Sequence, residues 1–386
     1  MNGDLTMSFS PISRGRASAA ALVGVSLLTL ALAGCTSGGG SGSASGPGSA
    51  AKGCNKVGFL IPESASSARW EGNDHPDMEA SIKKYMPNAT LQVQNANGSD
   101  TTQLSQAEAM LAQGVCILIV APHDSTAAAT IVDKAMAQHV PVIAYDRLIQ
   151  SKNTAYYVSF DNKKVGQLQG QYIADHYSQY VTSNGNNNLV MINGSQTDNN
   201  AILFRDGAHT ALDPLISGGK LTKVYEQYTP NWDNPTAESE MQGALTQTGG
   251  KLAVAYVAND GMAGTVIAAL QQAHLAGKVL VTGQDATVAG IQNILLGNQS
   301  MTVYKAISKE TDAAAQLAAA LSAGNSTASL TNGATTATQD GGNLPSVLET
   351  PVAVDQSNIA STVLADGFVT KAQICAGVPA GTAGVC

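Results

Sequence analysis

The chain has 386 residues, with 20 Lys and Arg against 28 Asp and Glu, which gives a net charge of −8. No block of basic residues occurs that could bind a phosphate backbone, and this disfavours nucleic-acid binding. Charged residues make up 12% of the chain and hydrophobic residues 44%, where about 25% charged is usual. The surface must therefore be covered largely by small polar residues, which suits an exported protein with an uncharged ligand.

The N-terminus has the order of a secretory signal. Arg14 and Arg16 precede an apolar run over 19–33, which is too short for a stable membrane span. The run ends in Leu32-Ala33-Gly34-Cys35, which looks like a bacterial lipobox, where a peptidase cuts before a cysteine that carries a diacylglyceryl group. We predict a lipoprotein signal peptide over 1–34, lipidation of Cys35 and a Gly/Ser tether over 35–55. An ordinary signal peptide with a chance cysteine is the alternative.

Four cysteines remain besides Cys35, an even number for an oxidising compartment, and they allow three connectivities. Cys375 and Cys386 would close a short C-terminal loop, and Cys54 and Cys116 each lie at the start of a predicted strand. The hypothesis is a Cys54–Cys116 and a Cys375–Cys386 disulfide. The spacing indicates no zinc site, and we expect neither a metal nor a cofactor.

From residue 56 onward, short apolar runs alternate with segments of helical period. The predicted strands are 57–61, 91–93, 115–121, 140–145, 156–160, 189–192, 221–228, 252–257 and 279–282. The predicted helices are 77–85, 102–113, 125–138, 164–180, 201–212, 235–247, 261–273 and 309–322. Continuous Val, Ile, Leu and Ala runs are typical of strands buried on both faces. The pattern predicts an α/β fold with two doubly wound parallel-sheet domains.

The C-terminal part is less regular. Residues 324–343 are rich in Gly, Thr and Asn and are predicted to be an irregular loop or surface insertion. Residues 344–354 are predicted to be one strand, which leads into a tail that Cys375 and Cys386 pin down.

Polar residues follow many of the predicted strands. In open α/β sheets, ligands bind beyond the carboxyl ends of the strands. Each such residue can also be a plain helix N-cap, the role that we assign to Asp198 and Asp260. Sugar hydroxyls each donate and accept hydrogen bonds, so a sugar site needs carboxylates, amides and cations together. The residues that supply this mixture are Asp146, Arg147, Asn199, Asn200, Asn259, Gln284, Asp285 and Lys305.

The chain has only two tryptophans, and both lie in polar loops. Trp70 follows Arg69 after the first strand, and Trp232 lies between Asn231 and Asp233. A lone tryptophan more often packs than binds a ligand, but a pyranose has apolar faces that pack on aromatic rings. The position and neighbours of these two favour the ligand-binding role.

These residues belong to longer segments that resemble the type I periplasmic sugar-binding proteins of ABC importers, and most strongly the members that bind D-xylose. The similar segments are Ser67-Ala68-Arg69-Trp70, Ala96-Asn97-Gly98, Ala144-Tyr145-Asp146-Arg147, Ser159-Phe160-Asp161-Asn162, Asp198-Asn199-Asn200-Ala201, Gly283-Gln284-Asp285-Ala286 and Met301-Thr302-Val303-Tyr304-Lys305. They occur in order between about residues 56 and 359.

The resemblance implies a ligand in the cleft between two domains that a three-segment hinge joins. It implies an N-terminal lobe of 56–162 plus 306–327, a C-terminal lobe of 163–305 plus 344–360, and a tail over 361–386. The crossings are expected near 161–163, near 304–305 and within 324–343. The residues expected to bind the sugar are Arg69, Trp70, Asp146, Arg147, Asn199, Asn200, Trp232, Asn259, Asp285 and Lys305.

The implied function is that of a non-catalytic receptor, which closes on a monosaccharide and delivers it to an ABC permease. D-xylose is the first expectation, with glucose, galactose or ribose as alternatives, because the segment 63–68 departs from the xylose-binding members. We expect a monomer that is exported and held at the outer face of the cell membrane by its lipid alone, with no nucleic-acid partner.

Two other classes of function fit the sequence less well. Asp146 and Asp285 could serve as the two carboxylates of a glycosidase, but G-x-S-x-G, H-E-x-x-H and P-loop motifs are all missing from the sequence and its six histidines are scattered. A sensor is the other class. A repressor would need an N-terminal DNA-binding module where this chain has a signal sequence, whereas a role beside a surface receptor stays open.

Overall fold

The computed structural model describes residues 51–386, which form two α/β lobes. The predicted signal peptide, Cys35 and the tether up to residue 50 lie outside the described residues. Within residues 51–386, no helix combines the length and the apolar character needed to cross a membrane.

The first lobe contains a seven-stranded sheet that is parallel except for one edge strand. In spatial order its strands are β11 (Thr335–Ala337), β12 (Asn343–Glu349), β5 (Tyr156–Phe160), β4 (Val142–Tyr145), β3 (Ile117–Val120), β1 (Lys56–Ile61) and β2 (Thr90–Asn95). Its helices are α1 (His75–Tyr85), α2 (Asp100–Ala112), α3 (Ala129–Met136), α9 (Ile307–Ala323) and α10 (Ala328–Thr331). Strands β3 and β4 are apolar throughout and wholly buried, as expected for central strands with helices on both faces.

The second lobe contains a four-stranded parallel sheet and a separate antiparallel pair. The sheet order is β7 (Thr222–Tyr228), β6 (Asn188–Asn193), β8 (Val254–Val257) and β9 (Leu280–Val281), and the pair is β10 (Thr302–Tyr304) with β13 (Val352–Val354). Its helices are α4 (Asn162–Asn184), α5 (Asn199–Ser217), α6 (Asn234–Gln247), α7 (Asp260–Gln272), α8 (Val288–Leu295) and α11 (Lys371–Ile374). Helix α8 was not among the predicted elements.

The chain passes between the lobes three times. Asp161 separates β5 from α4, and its side chain caps α4 by accepting a hydrogen bond from the Lys164 amide at 2.9 Å. Lys305 and Ala306 separate β10 from α9. Thr350 and Pro351 separate β12 from β13. The two doubly wound lobes with a three-segment connection confirm the predicted fold class.

The prediction for the third crossing was wrong. Residues 344–360 were assigned to the second lobe, with one continuous strand over 344–354. In the structure β12 pairs in parallel with β5 of the first lobe, and only β13 belongs to the second. Pro351 explains the break, because proline has no backbone N–H to continue a ladder and disfavours the helical region for the residue before it.

Two C-terminal segments are also more ordered than predicted. Residues 324–343 contain α10 and β11, and β11 extends the first sheet by pairing with β12. Residues 361–386 are not a separate tail, because Val363, Val369, Ile374 and Val385 are buried in one cluster with apolar residues of α8.

The structure contains both hypothesised disulfides. Cys54 and Cys116 connect the chain just before β1 to the chain just before β3. Cys375 and Cys386 close the loop that follows α11.

Helices α4 and α5 pack at unusually short distance because glycines lie at their contact. A Cβ atom on Gly166 would lie 1.8 Å from the Phe204 carbonyl oxygen, and one on Gly207 would lie 2.1 Å from that of Lys163. The close contact sets the position of Phe204 on α5, and Phe204 lines the cavity between the lobes.

We predict that Gly166→Ala destabilises the chain by about 1–3 kcal/mol, because its methyl group must push the two helices apart. The matched control is Gly243→Ala in α6, where a Cβ meets no atom within 4 Å. That change should stabilise the chain by about 0.5–1 kcal/mol, since alanine is the better helix former. Urea unfolding of both variants checks this, and equal effects would contradict the packing argument.

Candidate ligand-binding site

The loops that follow the strands of both lobes converge on one cavity between the lobes. The charged side chains around it pair directly with one another, and the cavity is correspondingly small, about 20 Å³. Its lining residues are Ser66, Ser67, Arg69, Trp70, Asp146 and Arg147 from the first lobe, Asp198, Asn200, Phe204, Trp232, Asn259, Gln284 and Asp285 from the second, and Lys305 from the second crossing.

Arg69 is the central cation of the first lobe. Its Nε and Nη2 donate to the two carboxylate oxygens of Asp74 at 2.8 and 2.6 Å, and its Nη1 donates to Asp146 Oδ2 at 2.7 Å. Nη2 also donates to Glu310 Oε2 at 3.1 Å. Burial lowers the pKa of Arg69, but Asp146 and Asp74 outweigh burial and leave it well above its usual value. The guanidinium is therefore charged, and its direction is fixed by carboxylates behind it.

Asp146 is held through both its backbone and its side chain. Its φ of +56° lies in the left-handed region, and its carbonyl oxygen accepts from Tyr157 Oη at 2.9 Å, Ser159 Oγ at 2.6 Å and Asn200 Nδ2 at 3.0 Å. Burial raises the pKa of the Asp146 carboxyl, but Arg69 and other cations outweigh burial and lower it below the usual range. Asp146 is therefore ionised.

The buried carboxyls behind Arg69 behave differently. Burial and the charge of Asp146 raise the pKa of Glu310 well above its usual value, despite Arg69. Burial also raises the pKa of Asp74, again against Arg69. Burial thus favours the neutral form of Glu310, which lessens the negative charge around Arg69.

The second lobe presents Trp232 and Asp198. Asp198 Oδ2 accepts from Trp232 Nε1 at 3.1 Å and forms an ion pair with Arg147, whose Nε lies 2.9 Å away. Asp198 therefore connects the tryptophan to the first lobe. Trp232 has a φ of +57°, and its ring fills the space beside Gly194, where a Cβ would lie 2.1 Å from the ring.

Trp70 lies on the first-lobe side of the same cavity. The guanidinium carbons of Arg69 and Arg147 lie 4.7 and 5.2 Å from the centre of its ring. Its buried indole nitrogen has no hydrogen-bond partner among the described residues.

Asp285 closes the cavity from the second lobe. Ser67 Oγ donates to Asp285 Oδ2 at 2.9 Å across the cleft. Lys305 Nζ lies 3.7 Å from Asp285 Oδ1 and 3.2 Å from Asp146 Oδ2. One lysine at a crossing therefore lies within ion-pair distance of a carboxylate from each lobe.

Nine of the ten residues predicted to bind the ligand line this cavity, and their contact with a ligand stays a prediction. They are Arg69, Trp70, Asp146, Arg147, Asn200, Trp232, Asn259, Asp285 and Lys305.

Asn199 points elsewhere. Its side-chain Oδ1 accepts from Gln150 Nε2 at 3.0 Å, and its backbone amide donates to Ser125 Oγ at 3.1 Å. Adjacent residues of a helix point about 100° apart, so only one of the pair 199 and 200 can face the cavity.

Sequence reasoning missed part of the lining. Ser66, Ser67, Phe204 and Gln284 were not among the residues expected to bind the sugar, although Ser67 and Gln284 lie in segments that resemble the family. Asp198 caps α5 as predicted, but its other carboxylate oxygen, Oδ2, also accepts a hydrogen bond from Trp232 in the site. The prediction that Asp260 is an N-cap was wrong, because Asn259 caps α7 and the Asp260 carboxylate is buried inside the second lobe. Residues 51–386 contain no cluster of His, Cys, Asp and Glu suited to a metal ion.

Two doubly wound lobes, three crossings and a polar cavity between the lobes define a two-lobed ligand-binding protein. The chain belongs to the periplasmic binding protein domain family, whose sequence model matches residues 57–326. The resemblance inferred from the sequence is thus confirmed.

Individual relatives cover most of the chain. It is 40% identical to the D-xylose-binding periplasmic protein of Haemophilus influenzae over 83% of this chain and 92% of that protein. The D-xylose-binding periplasmic protein of Escherichia coli is 36% identical over 83% and 92%. A crystal structure of an ABC transporter solute binding protein from Clostridium phytofermentans with bound β-D-glucose is similar with a TM-score of 0.72 and 30% identity, over 83% of this chain and 99% of that one.

Asp260 gives a prediction about pH. Burial raises its pKa from the ordinary 3.8 to about 7, against the hydrogen bond from Gln299. The folded chain therefore holds this proton more tightly than the unfolded chain between about pH 4 and pH 7, and the free energy of unfolding should fall as pH rises through that window.

Urea unfolding at several pH values checks this. Asp260→Asn should show a smaller fall than the unsubstituted chain, while the other buried acids titrate in both proteins and largely cancel in the difference. An equal pH dependence in the two proteins would show that Asp260 ionises normally.

Proposed function

We propose that the chain is the substrate-binding receptor of an ABC sugar importer and that it binds one monosaccharide, D-xylose first. The observation that carries the proposal is the set of carboxylates, amides and cations that both lobes direct at one cavity between Trp70 and Trp232. A sugar hydroxyl donates and accepts at once, so it can replace the direct pairing of these groups. The names of the two xylose-binding relatives support the same ligand.

Domain closure is the proposed mechanism. The lobes contact each other through Ser67 with Asp285, Arg147 with Asp198, and Gln150 with Asn199. Rotation about the three crossings would break these contacts and open the cavity. Sugar that binds between the lobes would favour the closed form, which the permease would recognise.

A glycosidase fits this site poorly. Such an enzyme needs one of its two carboxyl groups protonated to serve as the general acid. Asp146 accepts hydrogen bonds from Arg69, Lys305 and Asn200, and the two cations among them, Arg69 first, lower its pKa. It can bind a hydroxyl but holds no proton to donate.

Export and anchoring complete the proposal. The signal sequence and Cys35 support a receptor held at the outer face of the membrane by its lipid, close to its permease. The word periplasmic in the names of the relatives supports export.

Calorimetric titration of the mature chain with xylose, glucose, galactose, ribose and arabinose tests the function. We expect one D-xylose to bind per chain, with weaker or no binding of the others. Binding of glucose in place of xylose would support the proposed role as a sugar receptor but would show that its ligand is glucose. Failure to bind any monosaccharide would overturn the proposal.

Two neighbouring asparagines test the site itself. Asn200→Ala should weaken xylose binding about tenfold to a hundredfold, because it removes an amide that holds the ionised Asp146. Asn199→Ala is the matched control on the same helix, and it should have a clearly smaller effect because its side chain lies outside the cavity. Similar losses in the two variants would contradict the proposed geometry.

A further inference from the structure

The side chain of Asp260 is a buried carboxyl group that the proposed ligand does not reach. The residue is only 3% exposed, and its partners are neutral donors. Its Oδ1 accepts from Gln299 Nε2 at 2.7 Å and from Thr302 Oγ1 at 2.8 Å. Its Oδ2 accepts from the Thr287 amide at 2.9 Å and from Thr287 Oγ1 at 3.3 Å.

Two glycines make room for this carboxylate. A Cβ atom on Gly283 would lie 2.2 Å from Asp260 Oδ1, and one on Gly290 would lie 2.2 Å from Oδ2. Both glycines flank the segment 284–289, so the carboxylate occupies the inside of the loop that carries Asp285.

The same loop has a strained backbone. Asp285 has a φ of +98° and Ala286 a φ of +50°, both in the region that favours glycine. Non-glycine residues are unfavourable there and persist only where their surroundings hold them. Three consecutive amides show how this loop is held.

The Asp285 amide donates to the Val303 carbonyl at 2.9 Å, the Ala286 amide donates to Thr302 Oγ1 at 3.2 Å, and the Thr287 amide donates to Asp260. Because the Thr302 hydroxyl gives its proton to Asp260, it presents a lone pair to the Ala286 amide. Asp260 therefore acts on two of the three amides, one directly and one through Thr302.

We propose that Asp260 is a positioning residue, which fixes the backbone at residues 285–287 through Thr302 and Thr287 and so directs the Asp285 carboxylate into the cavity. Its effect on ligand affinity rests on the proposed function, whereas its effect on the loop does not. The competing explanation is that Asp260 only fills the interior of the second lobe.

The test uses the chain with Thr302→Val, which keeps the shape of the side chain but removes the hydroxyl, and Thr302→Ser as the conservative control. Hydrogen exchange of the Ala286 and Thr287 amides, without ligand, is the first measurement. We expect exchange at least tenfold faster in Thr302→Val and close to the unsubstituted chain in Thr302→Ser. Calorimetry with D-xylose is the second, with binding at least tenfold weaker in Thr302→Val and retained in Thr302→Ser.

Unchanged exchange in Thr302→Val would overturn the inference, and so would faster exchange with unchanged affinity. If the unsubstituted chain binds no monosaccharide, the proposed function fails, and the exchange data still decide whether the loop is held in this way. Asp260→Asn is the second variant should Thr302→Val not fold. It keeps the volume of the side chain but places an amide among donors, and it should give the same faster exchange.

Discussion

The contact between the lobes and the hinge depends on Asp146. Its carboxylate pairs with Arg69 of the first lobe and with Lys305 at a crossing, and its carbonyl oxygen accepts from Asn200 of the second lobe. A buried ion survives only where charges and hydrogen bonds compensate for lost water. Both lobes, the crossing at Lys305 and the left-handed backbone at Asp146 thus together replace the water that the buried carboxylate has lost. A ligand that enters the site must replace some of the hydrogen bonds and ion pairs of Asp146.

This arrangement also explains why the site is rich in acids without being strongly anionic. Lys305 lies between Asp146 and Asp285, and Arg147 pairs with Asp198. Glu310, deeper still, is pushed towards its neutral form by burial. The cavity therefore offers charged groups in fixed directions with little net field, as an uncharged, hydroxyl-rich ligand requires.

The fold class and most of the site residues could be predicted from the sequence. Continuous apolar strands indicate the fold class, and the polar residues that follow strands indicate which side chains lie at the carboxyl edge of the sheet. Asp146 directly follows one such strand, and Asp285 lies in the short segment Gly283-Gln284-Asp285 after another. The rest depended on three-dimensional facts. The rotation of helix α5 points the side chains of Asn199 and Asn200 in different directions. Pro351 divides the predicted strand 344–354 between the two lobes. The role proposed for Asp260 depends on its hydrogen bond with Thr302, which is distant in sequence. Local patterns carry no information on such pairings.

Three residues that line the cavity, Asp146, Trp232 and Asp285, have left-handed backbones although they are not glycine, and so do their chain neighbours Asn231 and Ala286. Glycine would relieve the strain at each of them, and many proteins are easily stabilised in this way. The chain thus keeps side chains at positions where glycine would leave the backbone less strained. Selection for thermal stability alone would tend to replace these residues with glycine. The resulting variants would be more stable but would bind the ligand less well, because they would lack these side chains.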